Sequence, residues 1–474
     1  MDEDEALQIN IVQNIRGTST VKNMKTPSCC KIQPSPYPML VANVFFFIPF
    51  AINLVVFESM LYNKLCYKKY HDVTLCTNAT FTGSHPELQE EEVKWANYHQ
   101  LVQLPLGILS NLLLASYCDK VGHKLPYVLP IFGNFLSTAY LAVLTTPKFL
   151  SWDMSAIFGY SILYTGFGGF SMMLVSSFSY LAIVASRDRV AIIMSMCEGT
   201  LLAGVLIGNL INGPIIDATS LSTLAYINTG ITLSPVLIVV FFVTDVTSTS
   251  DNDYTWKDVF NFDRISDVYK FIRKKRKGNT RLTLFLCYIT YSCVYLVTTG
   301  LSANDFLYFV KNRGMSMTEY SLFSGLLSAA KTILGPMIIY LGRRFVKTDR
   351  FNLLMFACTL PPIGLILMSN ASIPNSAWIG GVFICTQTSF FGEMRSLQTS
   401  LCDKDELGQL FTLDGIVLLV LTTFGSIGYK ALYGASLAFW SGSYLALSAF
   451  FYICAMAVII AIHIIVSNDH VSDE

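Results

Sequence analysis

The sequence predicts an all-α membrane protein of twelve transmembrane helices, arranged as two six-helix halves. Three observations carry that prediction. Of 474 residues, 53% are hydrophobic and 14% charged, against about 25% charged in a soluble domain. Apolar runs recur along the chain, each long enough to cross about 30 Å of hydrocarbon. In lipid a backbone must satisfy its own hydrogen bonds, so each run is a helix. Finally, the runs fall six and six around one long polar, basic stretch.

The elements follow in order. Residues 1–38 are a polar tail with no apolar core of their own, read as cytoplasmic and without a cleavable leader. Runs at about 39–61, 98–117, 126–147, 153–184, 190–213 and 223–243 make an N-terminal bundle, 39–243. The fourth carries Gly166, Gly168 and Gly169. The fifth carries Gly199, Gly204, Gly208 and Gly213, small residues that let helices approach closely. Residues 244–281 form a central loop with "TSTSDNDYTWKD" and "RKKRKGNTR". In it, Val259, Phe262, Val268 and Phe271 stand among charges, an amphipathic pattern expected to lie on the inner leaflet and contact membrane lipid. Runs at about 282–309, 319–341, 351–369, 376–397, 408–429 and 438–466 make a C-terminal bundle, 282–466, and 467–474 are a cytoplasmic tail.

Most of the 32 Lys and Arg lie on one side if the N-terminus is cytoplasmic, which sets both termini inside. The loop 62–97 is then outside or lumenal and holds "NAT" at Asn78, a glycosylation acceptor on the correct side. Cys66 and Cys76 share that oxidising loop and are the candidate disulfide, although connectivity is not fixed by sequence. Cys29 and Cys30 precede the first helix, where palmitoylation and an unmodified tail both fit. Most other cysteines fall inside spans, as small apolar packing.

Between helices 2 and 3 the chain reads "YCDKVGHKLP". Gly122 permits a tight reversal, Asp119 can meet a neighbouring helix N-terminus, and Lys120 and Lys124 anchor the turn. Six helices later "LGRRFVKTDR" repeats the charged turn, a weak internal repeat of two related halves.

"ASYCDKVGHK" resembles the major facilitator signature G-x-x-x-D-R/K-x-G-x-R/K, with Ala115 in place of its first glycine. "CDKVGHKLPYVL", "GFGGF", "MSMCEGTLLAG", "SANDFLYFV" and "RSLQTSLCDKDELGQLF" are similar to solute carrier family 46, which includes the proton-coupled folate transporter and its lysosomal relative. The resemblance implies a gating turn at Asp119, Gly122, His123 and Lys124, with His123 where the family has arginine. It implies a proton-coupling glutamate at Glu198 and a substrate-handling arginine at Arg395. Where the folate-transporting member has a helix 7 histidine this chain has Gly300, and Gly166 replaces an acidic residue of helix 4. The outer loop "KNRGMSMTEY" lacks that member's cysteine. These departures argue against folate itself.

The residues make an independent case. A charge at the bilayer centre costs about 2.5–3.5 kcal/mol on insertion scales, so it faces an aqueous cavity or a partner. Within the spans lie Glu58, Glu198, Asp305, Lys331, Glu393, Arg395, Asp414 and Lys430. Glu58, Asp414 and Lys430 are near enough to span ends to snorkel. Glu198 and Lys331 are deepest. Glu198, then Asp305, are the candidate proton carriers, and Arg395 and Lys331 the candidate anion ligands. A structural ion pair is the competing reading of each.

No Walker loop, G-x-S-x-G or H-E-x-x-H occurs, and "GFGGF" lacks the context of a nucleotide loop, so neither an enzyme, a cofactor nor a metal is expected. With a net charge of zero, no bulk charge points to nucleic acid. The expected function is secondary transport of a small organic anion with protons, at the plasma membrane by preference or the lysosomal membrane. Folate-like acids, conjugated anions, muropeptides and cyclic dinucleotides are the candidate substrates. A non-transporting receptor or assembly factor on a transporter fold is the alternative.

Overall fold

A computed structural model describes residues 34–76, 86–120, 122–246, 265–276, 278–315, 317–370, 375–403, 406–436 and 439–472. Among them there is no strand, and twelve long helical runs follow one another. They are α1 (Tyr37–Tyr70), α2 (Pro86–Lys120), α3 (Lys124–Leu144), α4 (Ile157–Gly166 and Gly169–Val184), α5 (Val190–Ala218) and α6 (Leu221–Ile231 and Ser234–Phe242). After the linker come α7 (Thr280–Phe306), α8 (Met317–Leu341), α9 (Arg350–Ser369), α10 (Ser376–Ile384 and Gln387–Ser400), α11 (Leu407–Ser436) and α12 (Ser443–Ser472). Ten of these runs are long and apolar enough to cross a membrane. The other two, α2 and α10, carry their own polar residues, "PELQEEEVK" at the start of α2 and "GEMR" within α10.

Several helices outrun their apolar stretches. The last turns of α1 are polar, yet Lys64 is only 1% exposed. Its ammonium donates to the carbonyls of Phe149 and Trp152, both at 3.0 Å, tying α1 to the turn between α3 and α4. A disulfide joins Cys66 to Cys76 just beyond, with Cα atoms 5.6 Å apart. Asn78 lies outside the described residues. In the middle of α4, "GFGGF" breaks the helix: Gly168 and Gly169 take φ of 107° and 56°, a region L side chains rarely adopt. This sequence was expected to mark close packing; its backbone shows an interruption as well.

The first six helices share a core of their own, built on Ile52, Val56, Met60 and Leu141. The last six share another, built on Tyr291, Leu365, Phe390 and Tyr444. A third draws on both sets, from Phe46 and Phe178 to Leu410 and Phe411. Buried amides tie the first bundle together. Asn53 donates to Asn134 Oδ1 at 3.1 Å and to Thr138 Oγ1 at 2.8 Å, and Asn228 donates to Asn53 Oδ1 at 2.9 Å. Each such amide is costly to bury unpaired, so the network fixes the register of α1, α3 and α6.

The glycines of α5 admit α1. A Cβ on Gly204 would stand 2.4 Å from Phe47 Cβ and 2.8 Å from the Val44 carbonyl. Replacing Gly204 with Ala is therefore expected to lower the melting temperature of the solubilised protein by the equivalent of about 1–3 kcal/mol. Gly428 in α11 has nothing within 4 Å of its would-be Cβ. Gly428→Ala is expected to be neutral or slightly stabilising, by up to about 1 kcal/mol of helix propensity. Equal losses at both positions would sink this account of the packing.

The linker corrects one expectation. Its helix, Ile265–Arg273, does carry an apolar face, but Val268 and Phe271 are each 4% exposed and buried against protein. The helix rests on α2 and α11. Lys274 then pairs with Glu406 and, at 3.0 Å, with Asp403, while Arg276 reaches Glu406 at 3.0 Å. Val259 and Phe262 lie outside the described residues.

Candidate functional site: a buried ion pair between the two bundles

Glu198 stands on α5 and Arg395 on α10, so their contact joins the first bundle to the second. The two form a salt bridge. Arg395 is 1% exposed, which makes every one of its partners energetically significant. Its Nη2 donates to the Tyr291 hydroxyl of α7 at 3.0 Å. Its guanidinium lies 3.6 Å from the centroid of the Phe178 ring of α4, a cation–π arrangement. The guanidinium thus projects from the second bundle into a socket made largely by the first. Beside it, Asn43 donates to Cys197 Sγ at 3.3 Å and accepts from Tyr127 and Ser177 at 2.9 and 3.0 Å. Those bonds hold α1, α3, α4 and α5 together under Glu198.

Lys331, on α8, is not part of this pair. Among the described residues it makes no hydrogen bond and no ion pair within 4.0 Å, and the ionisable groups it faces are the Cys385 thiol, which is neutral, and the Asp305 carboxyl. Asp305, near the end of α7, accepts from the Tyr444 hydroxyl at 2.9 Å. The expected proton and substrate residues therefore divide into one tight pair and one looser pair. Gly300 is filled against: a Cβ there would stand 2.1 Å from the Tyr429 ring, so no side chain fits at that helix 7 position.

Glu393, two residues from Arg395, faces elsewhere, as the helical spacing requires. Its carboxylate is 0% exposed and takes two bonds from Arg343, Nε to Oε1 at 3.1 Å and Nη2 to Oε2 at 2.7 Å. Arg343 Nη1 also donates to the Asp188 carbonyl at 3.3 Å, in the turn between α4 and α5. This clamp binds the second bundle to the first on the face that carries the α2–α3, α4–α5 and α8–α9 turns, called here the basic face. Nearby, a Cβ on Gly392 would lie 2.6 Å from Ser195 Cβ and from the Ala191 carbonyl. The basic face is closed at this point. A depression of 760 Å³ lies outside the closure, lined by Tyr37, Arg189, Ile193, Met196, Tyr340 and Arg343 among others.

The charged turn holds an anion from elsewhere in the chain. Gly122 has φ 151°, within the region that favours glycine, and a Cβ there would strike the Asp245 carboxylate at 2.7 Å. Asp245, just beyond α6, accepts from the backbone N–H of His123 at 2.8 Å and of Lys124 at 3.4 Å. The described anion at the N-terminus of α3 is therefore Asp245. Asp119 stands in the last turn of α2, and its side chain lies outside the described residues. Lys124 donates its ammonium to the Val240 carbonyl at 3.4 Å. His123 is 1% exposed. Its Nδ1 donates to the Val246 carbonyl at 2.9 Å, so Nε2 accepts from Ser179 Oγ at 3.0 Å. Burial pushes this imidazole below its ordinary range, opposed by the Val246 bond and by Asp245. Its neutral form is the folded one, so its contribution is complete above about pH 6.5 and is lost as pH falls below that.

Asp245→Ala removes two capping bonds and is expected to cost about 1–2 kcal/mol, read as a lower melting temperature at pH 7.5. An unchanged melting temperature would show that the turn does not depend on Asp245.

One group expected near a span end also differs. Asp414 is 3% exposed and accepts from Gln398 Nε2 at 3.2 Å, so it is buried and does not snorkel. Lys430 faces Glu58 and Glu92, a grouping across the bundles that linear sequence does not display. Arg343–Glu393 and Asp245 were likewise missed, because each joins residues tens to more than a hundred positions apart. The recurrence of charged turns was the available signal for Arg343.

Comparison with known proteins agrees with this architecture. The family model described as Major Facilitator Superfamily matches residues 100–428. The fold is similar to the human organic anion transporter MFSD10 (TETRAN), with TM-score 0.69 and 13% identity over 90% of this chain and 100% of that one. It is similar to a bacterial homologue of the iron transporter ferroportin in an outward-facing state, with TM-score 0.60 and 12% identity over 90% and 99%. It is also similar to the E. coli fucose:proton symporter FucP, with TM-score 0.58 and 12% identity over 90% and 98%. Identities this low speak for the fold alone. A family match across more than half of the chain and twelve helices in sequence lead to one conclusion: this protein belongs to the Major Facilitator Superfamily.

Proposed function

We propose that the protein is a secondary transporter that moves a small organic anion across a membrane together with protons, by alternating closure of its two faces. The observation that carries the reading is the Glu198–Arg395 pair between the bundles, its guanidinium buried and its carboxylate partly exposed. A carboxylate and a guanidinium so placed stabilise each other only while the bundles are together and Glu198 is charged. Protonation of Glu198 removes one partner, and an anion arriving at the socket supplies another. Lys331 adds a cation with no ion-pair partner among the described residues, suited to a second acidic group of the substrate. Asp305 is the second proton site.

The substrate class rests on these two cations and on the resemblance of the helix 5 and helix 10 segments to solute carrier family 46. Folate-like acids, conjugated anions, muropeptides and cyclic dinucleotides share the required negative charge. The filled position at Gly300 disfavours folate itself. The chain sits with both termini and the basic face in the cytosol, at the plasma membrane by preference over the lysosomal one. Asp119, Gly122, His123 and Lys124 form the turn that shifts as the faces alternate.

The test is uptake of a panel of labelled organic anions into proteoliposomes, at acid and neutral outside pH. Saturable uptake of one class, increased by acid outside, is the expected result. Binding without flux for every member would favour a receptor on a transporter fold.

A further inference from the structure

Arg395 faces two carboxylates and pairs with one. Its partner, Glu198, belongs to the first bundle. The other, Asp414 on α11, belongs to the second bundle, as Arg395 does. Asp414 is 3% exposed. Gln398, one helical turn beyond Arg395, donates to its Oδ1 at 3.2 Å. Among the described residues, Asp414 Oδ2 has no hydrogen-bond partner, and neither has Arg395 Nε. A buried carboxylate oxygen and a buried guanidinium N–H are both left open, and the charge facing Asp414 is that of Arg395. Unpaired buried polar atoms are rare and costly, and each calls for a reason.

We infer that Asp414 is the waiting second partner of Arg395: when a proton neutralises Glu198, the guanidinium transfers to the open Oδ2 of Asp414 and withdraws from the first bundle. The inference rests on the reading of Glu198 as the proton carrier. No bond to carbon is made or broken. One proton joins the Glu198 carboxylate, and one ion pair between bundles is exchanged for one within a bundle. The buried charge of Arg395 is compensated in both states, so the exchange avoids the penalty of a lone buried cation.

The surroundings suit such a transfer. Around the guanidinium stand Glu198 and Cys197 of α5, Tyr291 of α7 and Asp414 of α11, with the Phe178 ring of α4 beneath it. Around Asp414 stand Cys287, Tyr288 and Tyr291 of α7, Cys402 of the α10–α11 turn, and Arg395. Arg395 is the cation in both sets, so Asp414 depends on it for compensation. Asp414 touches no substrate in this account and acts through Arg395, as a positioning residue. The consequence lies at the basic face. Arg395 and Glu393 share one helix, and withdrawal of Arg395 removes the charged link between the bundles on α10, leaving the Arg343–Glu393–Asp188 clamp, the Ser195–Thr388 bond and the close packing at Gly392 to hold that face.

Hydrogen exchange of the full-length protein in nanodiscs tests this without a substrate. Segments 190–200 and 388–400, which meet across the bundles, are followed at about pH 7.5 and about pH 5.5, corrected for the intrinsic pH dependence of exchange. Wild type is expected to exchange about tenfold faster at the lower pH in these segments, and Glu198→Gln to exchange fast at both. Asp414→Asn is expected to stay slow at both, because Glu198 then remains the only compensation for Arg395. Asp414→Glu is expected to restore the pH response. A merely structural Asp414 predicts another pattern, faster exchange throughout the molecule at both pH values in Asp414→Asn. That pattern, or a wild-type pH response in Asp414→Asn, overturns the inference. If wild type shows no pH response and Glu198→Gln exchanges like wild type, the proton-carrier reading itself fails, and the partner exchange fails with it.

Discussion

Arg395→Gln abolishes transport, lowering both net uptake and substrate exchange by about two to three orders of magnitude. The magnitude follows from the site: Glu198 and the buried Asp414 lose their compensating cation, and a broken buried pair costs about 3–5 kcal/mol, at 1.4 kcal/mol per tenfold change. Lysine does not replace it, because the planar guanidinium makes several contacts at once, to Glu198, to the Tyr291 hydroxyl at 3.0 Å and to the Phe178 ring at 3.6 Å. The check is flux into proteoliposomes with Arg395→Gln and Arg395→Lys, normalised to protein incorporated. Exchange at wild-type rate in Arg395→Gln would remove this residue from substrate handling.

Arg343→Gln opens the basic face. Glu393 is 0% exposed and keeps no other cation within ion-pair distance among the described residues. The substitution removes the bond that crosses the bundles, Arg343 Nη1 to the Asp188 carbonyl, and leaves Glu393 dry and unpaired while the face is closed. Because opening lets water reach that carboxylate, its cost of about 3–5 kcal/mol falls on the closed state, enough to shift the population between faces by two orders of magnitude or more. Ser195 reports the shift, since it is buried where α5, α8 and α10 meet. In a Ser195→Cys background, maleimide labelling at that position is expected to rise about a hundredfold with Arg343→Gln. Adding Glu393→Gln removes the unpaired charge and is expected to bring labelling most of the way back. Labelling that stays at the background rate in Arg343→Gln would mean the clamp does not hold the face shut.

The fold was legible in the sequence because the membrane imposes it. Apolar runs of this length must be helices, and twelve of them in two sets of six leave few alternatives. Helix ends were less legible: α1 continues to Tyr70 because Lys64 finds two carbonyls in a distant turn. At the site, single residues could be listed because a charge inside an apolar run is conspicuous. Their pairing could not. Glu198 and Arg395 are 197 positions apart, and nothing local says that Glu393 meets Arg343 while its near neighbour Arg395 meets α5. Asp414 lies near the end of its apolar run, which in sequence reads as closeness to water. The packing of Gln398 and Arg395 around it keeps it dry. The linker helix misled in the same way: an apolar stripe shows that something covers it, and here protein, not lipid, covers Val268 and Phe271.

The most direct measurement is of net uptake and substrate exchange side by side, in wild type and Glu198→Gln, with surface or incorporated protein as the common denominator. A glutamine at this position mimics the protonated carboxyl permanently. Exchange requires no net proton movement, so Glu198→Gln should exchange substrate at close to the wild-type rate while losing accumulation driven by a pH gradient. If Glu198 serves only as a structural partner of Arg395, exchange and uptake fail together, with poor recovery of folded protein. A Glu198→Gln protein that accumulates substrate along the pH gradient as wild type does would contradict the assignment of the proton to Glu198.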